Sequence, residues 1–271
     1  MTTRRELLLL STAALAAAPL RAQTAVPIRF GEINSYSTIP QFTVPYRMGW
    51  QLAVDEANAG GGLLGRRIEV ISRDDAGKPD DAIRLATELV SSEKVDLLAG
   101  TFLSNVGLAV AEFALRNRVL FVAAEPLTDA MVWEKGNRYT FRLRPSTHMQ
   151  SAMLVEEAAR LPAKRWAIVA PNYEYGQSAV ASFKALLKAR RSDVEFVAEQ
   201  WPALGKLEAA GTVQALIAAR PEASAFTPEE VAILQILADQ IAVDRYLASK
   251  KAAKSRGLGI RLSKLVPPGG A

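Results

Sequence analysis

Gly49-Trp50-Gln51-Leu52-Ala53-Val54-Asp55-Glu56-Ala57-Asn58-Ala59-Gly60-Gly61-Gly62-Leu63-Leu64-Gly65-Arg66-Arg67-Ile68-Glu69-Val70-Ile71 decides the fold of this chain. Leu52, Val54 and Ala57 recur at helical spacing, so the first part predicts a helix with one apolar face. Asn58 and the glycine triplet adopt positive φ at little cost, so the helix is expected to stop there. Ile68, Val70 and Ile71 then predict a short β-branched strand, closed by Asp74-Asp75 at a polar turn. Helix, glycine stop and strand together make an α/β unit.

Working outward, the same alternation repeats. Ile28 to Ile33 is a predicted strand running into the polar loop Asn34 to Thr38. The helix after it is expected from about Val44, with Pro45 in its first turn, to Ala59. Asp80 to Ser92 predicts a helix whose acids suit the positive end of its dipole. Val95 to Ala99 predicts a buried strand, Gly100 to Asn105 a loop, Val106 to Arg116 a helix, and Val119 to Ala124 another apolar strand. Tyr139 to Pro145 is read as an extended link. Beyond it come a helix (Thr147 to Leu161), a strand (Arg165 to Ala170), the loop Tyr173-Glu174-Tyr175-Gly176, a helix (Ser178 to Ala189) and a strand (Val194 to Gln200). Strand–helix alternation predicts α/β lobes built on doubly wound parallel sheets.

The ordered run Asp-Glu-Ala-Asn-Ala-Gly-Gly-Gly-Leu-Leu-Gly-Arg-Arg-Ile, then a strand and Asp-Asp, resembles the first unit of the type I periplasmic solute-binding proteins. It is most similar to the leucine/isoleucine/valine-binding branch that serves ABC transporters. The resemblance runs from about Ile28 to about Ala223. It implies a first α/β lobe over 27–144, a partial second lobe over 145–223, and a ligand cleft between them. From residue 224 it stops. Thr227, Pro228 and Glu230 cap a predicted amphipathic helix, Val231 to about Leu247, that resembles the closing helix of GAF-type sensor domains. Lys250 to Ala271 is a basic tail with a Gly/Pro end. The chain is read as the family's first lobe and half its second, with an unrelated end.

Composition narrows the function. The chain has 271 residues, 49% hydrophobic and 23% charged, which is a globular composition. It has no cysteine and one histidine, His148, which excludes disulfides, thiolate metal sites and multi-histidine clusters. The net charge of +5 sits at the ends. Arg4, Arg5 and Arg21 face only Glu6 at the front, and basic residues outnumber acids from Ser224 on. The near-neutral middle argues against a nucleic-acid surface. Met1 to Ala22 reads as an export signal: Arg4-Arg5, an apolar run from Leu7 to Ala18 too short to span a bilayer, and Ala22 at a cleavage point. Thr3 to Leu8 partly resembles a twin-arginine signal. The expected location is periplasmic, with no membrane span in the mature chain.

No catalytic constellation is visible. His148 stands at a helix start with no motif around it, and no phosphate-binding loop follows a strand. The expected activity is non-enzymatic binding with neither cofactor nor metal. Asp74-Asp75 reads as a solvated strand end. Ser104 and Asn105, between a buried strand and a helix N-terminus, offer hydroxyl, amide and free N–H groups to a carboxylate.

The resemblance implies that Ser104 holds the ligand's α-carboxylate. It implies further that the segment Ala123, Ala124 and Glu125 meets the ammonium, although Glu125 is charged where many relatives have a small residue and either pairs with a cation on the ligand or faces solvent, and that Tyr175 reaches in from the second lobe. The expected ligand is an amino acid or related small carboxylate or amide, and the expected partner is the permease of an ABC importer. Two other readings stand beside this one: a truncated or fused fragment that binds nothing, and a ligand-sensing module without a transport role.

Overall fold

A computed structural model describes residues 26–208 and 211–212. The expected export signal and the end from residue 224 lie outside them. The first lobe runs β1 (Ile28–Asn34), α1 (Pro40–Ala59), β2 (Ile68–Asp74), α2 (Pro79–Ser91), β3 (Leu97–Gly100), α3 (Ser104–Asn117), β4 (Leu120–Ala123) and β5 (Thr140–Arg142). A single 3₁₀ turn, Asp129–Met131, interrupts the passage from β4 to β5. The second lobe contributes α4 (Thr147–Ala158), β6 (Arg165–Val169), α5 (Glu174–Arg190) and β7 (Glu195–Gln200).

The first sheet has five parallel strands in the order β2-β1-β3-β4-β5, and the second pairs β6 with β7 in parallel. The doubly wound α/β expectation therefore holds. Strand order reverses between β1 and β3, and the crevice outside the carboxyl ends of such strands is where open α/β sheets bind ligands.

The deciding stretch folds for the reasons its residues suggest. Gly61 and Gly62 take φ of 99° and 78°, and the Gly62 amide closes on the Ala57 carbonyl at 2.8 Å. A Cβ at Gly62 would lie 2.1 Å from the Arg66 carbonyl oxygen, so only glycine fits this return. Asn58 ties the helix end to the strand start: its Nδ2 donates to the Ile68 carbonyl at 2.9 Å and its Oδ1 accepts the Ile68 amide at 2.8 Å.

Three local expectations change. α1 begins at Pro40, whose fixed φ and missing N–H suit the first turn, so Pro45 lies inside the helix. Leu52, expected on the inner face of α1, is 59% exposed, and the helix turns Thr43, Tyr46, Trp50 and Val54 inward instead. The expected link at Tyr139 to Pro145 contains the fifth strand, because Phe121 donates its amide to the Tyr139 carbonyl at 2.7 Å and Val122 pairs with Phe141.

α2 and α3 pack one face of the sheet. Ile33, Leu98 and Phe121 from the strands meet Leu89, Val106 and Val110 from the helices, all fully buried. Each such side chain contributes about 2 kcal/mol. α1 packs against the loops after β1 and β3: Phe42 stacks on Phe102 at 5.2 Å, and Trp50 Nε1 donates to the Tyr36 hydroxyl at 3.4 Å. The second lobe has its own smaller core of Val155, Trp166, Phe183, Leu187 and Val194.

Candidate functional site

The loops after β1, β3 and β4 meet at the carboxyl end of the first sheet. After β3 the chain turns through Thr101, a buried β-branched residue held at φ 58°. Its amide donates to the Ile33 carbonyl at 2.6 Å, which holds this costly conformation in place. The turn delivers Ser104 to the first position of α3.

Ser104 is 2% exposed, and its Oγ accepts the amides of Leu127 at 3.3 Å and Thr128 at 3.4 Å. Both lone-pair directions are thus occupied, while the hydroxyl proton remains to donate. Gly107 allows this approach. A Cβ there would lie 2.5 Å from Pro126 and 2.8 Å from Met131, so α3 and the 126–131 segment touch through its bare backbone. Asn105 follows on α3, and its Oδ1 is buried without a hydrogen-bond partner.

Ala123 ends β4 fully buried, and Ala124, the next residue, is nearly so. Their backbone groups serve the sheet: Ala123 accepts the Leu143 amide at 3.1 Å, and Ala124 donates to Gly100 at 2.9 Å. Glu125 faces Arg144 at 3.3 Å. Burial raises the pKa of its carboxyl, and the Arg144 charge opposes that rise.

Tyr175, expected in a loop, stands in the first turn of α5, because Tyr173 already takes the N-cap position. It is buried, and its ring lies 6.0 Å from that of Tyr173. The Glu174 carboxylate between them accepts the Thr128 hydroxyl at 2.6 Å. Ser104 and the Tyr175 turn therefore stand on either side of the Leu127–Thr128 segment, joined by hydrogen bonds through Thr128.

Sequence reasoning missed the residue that ties the lobes together. Asp129, 6% exposed, accepts hydroxyls from Thr147 at 2.7 Å and Ser182 at 2.8 Å through Oδ2, and the His148 amide at 3.1 Å through Oδ1. Its own amide donates to the Ser178 Oγ at 3.2 Å. Burial raises its pKa, but the hydrogen bonds from Ser146, Thr147, His148 and Ser182 outweigh that, and the carboxyl titrates below its ordinary range. No sequence motif marks Asp129, because its partners lie on α4 and α5. His148 is the helix-start residue that the sequence implied, its ring edge-on to Trp133 at 5.3 Å.

On the face under α1, Glu32 is 2% exposed. Burial pushes its carboxyl up to about 7, against the hydrogen bond from Ser72 at 2.6 Å and the nearby Arg47 charge. The Arg47 guanidinium lies 3.5 Å over the Tyr36 ring. Asp75, read as solvated, is fully buried instead: it accepts the Ser35 hydroxyl and the Gly77 amide at 2.7 Å each and so pins the β1 and β2 loops together. Asp74 beside it stays exposed. Among the described residues no group of His, Asp or Glu is placed to hold a metal ion, and no helix is long and apolar enough to cross a membrane.

A family model described as periplasmic binding protein matches residues 27–242, running past Ala223. An amino acid binding protein of Pseudomonas aeruginosa is 28% identical over 148 residues, covering 54% of this chain and 39% of that protein. A Leu/Ile/Val-binding protein of Rhizobium johnstonii is 29% identical over 142 residues, covering 52% and 38%. Among solved structures, a solute binding protein of an ABC transporter from Rhodopseudomonas palustris, in complex with 3,4-dihydroxybenzoic acid, is 26% identical with a TM-score of 0.62. That alignment covers 72% of this chain and 52% of that one. A branched-chain amino acid transporter substrate binding protein from Streptococcus pneumoniae, in complex with isoleucine, is 25% identical with a TM-score of 0.60, covering 69% and 53%. The chain thus spans about half the length of these solved relatives and less than two fifths of the curated ones.

Proposed function

We propose a binding role, from the premise that this chain belongs to the periplasmic binding protein family, whose model it matches over residues 27–242. The role is non-enzymatic capture of an amino acid or related small carboxylate, for delivery to the permease of an ABC importer. The protein works in the periplasm, exported on the signal at residues 1–22.

The observation that carries this reading is Ser104. Its hydroxyl sits at the first turn of α3, where backbone amides and the helix dipole favour an anion. With two amides donating to Oγ, the serine proton is left for a carboxylate oxygen. Asn105 Oδ1 supplies an unpartnered acceptor for a ligand N–H or O–H. Glu125 gives an ammonium group a counter-charge, and Arg144 holds that carboxylate in position when no cation is present. Tyr175 closes the site from the second lobe.

Calorimetric titration of the full chain with leucine, isoleucine, benzoate, 4-hydroxybenzoate and simple amides tests the reading. Saturable binding of at least one is expected, and Ser104→Ala weakens it about tenfold, the worth of one hydrogen bond to a charged group. A protein that melts cooperatively yet stays silent across the panel overturns the proposal.

A further inference from the structure

α5 carries three polar residues four positions apart, Glu174, Ser178 and Ser182. Helical spacing stacks them on one face, and that face meets the first lobe. Glu174 accepts the Thr128 hydroxyl at 2.6 Å, the Ser178 Oγ accepts the Asp129 amide at 3.2 Å, and the Ser182 hydroxyl donates to Asp129 Oδ2 at 2.8 Å. Thr147, the first residue of α4, donates to the same Oδ2 at 2.7 Å, and its Oγ1 lies 2.6 Å from the Ser178 Oγ. The first-lobe side of this seam is itself fixed, because Arg142 Nη1 donates to the Thr128 carbonyl at 3.0 Å. Apolar contact adds to the polar bonds. Tyr173 and Leu204, from the second lobe, pack against the core of the first.

Each of these bonds joins groups of this chain, and none of them waits for a ligand. Hydrogen bonds to an ionised acceptor are the stronger kind, and Asp129, 6% exposed, gathers two hydroxyls and an amide from both helices of the second lobe. Parting the lobes would take all of those donors from one carboxylate, so the bonds of this network break together. Hinge-closing proteins shut their lobes around a ligand. We propose that here the Glu174, Ser178 and Ser182 stripe and the Thr128-Asp129 turn form a latch that keeps the two lobes docked in the ligand-free chain. On the binding reading above, the site between Ser104 and Tyr175 is then preformed, and a solute enters it with no closure of the lobes. The latch itself needs no ligand, so it stands or falls apart from that reading.

The chain has no cysteine, so spin labels on introduced cysteines report cleanly. Full-length protein is unfolded in urea, dialysed to strip any bound solute, and refolded. One label pair spans the lobes, Asp55→Cys on α1 with Lys188→Cys on α5. A second pair lies within the first lobe, Asp55→Cys with Glu112→Cys, and all three positions are exposed. Pulsed electron double resonance is expected to give the spanning pair a single distance peak, as narrow as that of the within-lobe pair. Asp129→Ala is expected to at least double the width of the spanning peak, or to add a second, longer distance, and to leave the within-lobe peak unchanged. Ser178→Ala with Ser182→Ala, which keeps the Asp129 carboxylate and its bond to Thr147, is the second variant and is expected to do the same. Gln177→Ala, on the exposed side of α5, is expected to change neither peak. A broad or double spanning peak in the parent overturns the proposal. So does a spanning peak that neither latch variant alters, or one that Gln177→Ala alters as much.

Discussion

Glu32 shows how one residue's setting departs from what its neighbours in sequence imply. The strand Ile28 to Ile33 is legible from its apolar residues, but nothing in it tells where Glu32 faces. The pleat turns Glu32 under α1, where it is 2% exposed and its carboxyl titrates at about 7. An acid whose folded pKa is raised favours the folded state most at low pH. That advantage disappears as pH rises from 4.5 through about 7, and the shift is worth about 3 kcal/mol. Glu32→Gln keeps an acceptor for the Ser72 hydroxyl and removes the buried charge. The variant is expected to melt above the parent at pH 8 and to match it near pH 4.5, as thermal unfolding at the two pH values will report. Ser104 is the contrary case. Its place at a helix start was legible, but Leu127 and Thr128 as its partners were not, because a turn with no periodicity approaches it from more than twenty positions away.

At the scale of elements, the helix–glycine–strand unit is legible because its information is local. Positive φ at Gly61 and Gly62 and the reach of Asn58 to Ile68 need nothing beyond that unit. Gly62→Ala puts a Cβ 2.1 Å from a carbonyl oxygen at φ 78°, and is expected to cost about 2 kcal/mol or more in a urea titration. Gly49→Ala is the matched opposite. It lies inside α1 with nothing within 4 Å of the added carbon, and is expected to gain about 0.5–1 kcal/mol. α5 shows where local reading falls short. Tyr173 to Gly176 contains a glycine and two tyrosines, a loop-like composition, yet Glu174 opens the helix because an acid suits its N-terminus and Thr128 holds the carboxylate there.

At the scale of the whole molecule, Asp129 joins the two lobes. Its carboxylate gathers the start of α4 and one side of α5 onto the first lobe's 3₁₀ turn. Asp129→Ala removes the shared acceptor of the Thr147 and Ser182 hydroxyls and the His148 amide, and is expected to lower stability by about 2 kcal/mol, read by chemical denaturation. Its folded pKa is depressed, so its contribution is full above the ordinary carboxylate range and is lost as pH falls through that lowered value. Calorimetry between pH 3 and 7 is expected to show an acid decline in the parent that is reduced in Asp129→Asn. The same joint places Tyr175 beside the loop that touches Ser104, so the proposed binding site and the seam between the lobes share one set of contacts.

The sequence by itself determined the alternation of strands and helices, the parallel sheet, the glycine-stopped helix and the position of Ser104 at the start of α3. Each of these follows from periodicity, φ preference and capping within a few residues. Only the tertiary structure decided that Glu32 and Asp75 are buried, that Thr140–Arg142 joins the sheet and that Asp129 links the lobes. Those outcomes depend on which distant groups meet, and burial, ladder pairing and hydrogen-bond partnership are properties of the packed chain and not of any segment within it.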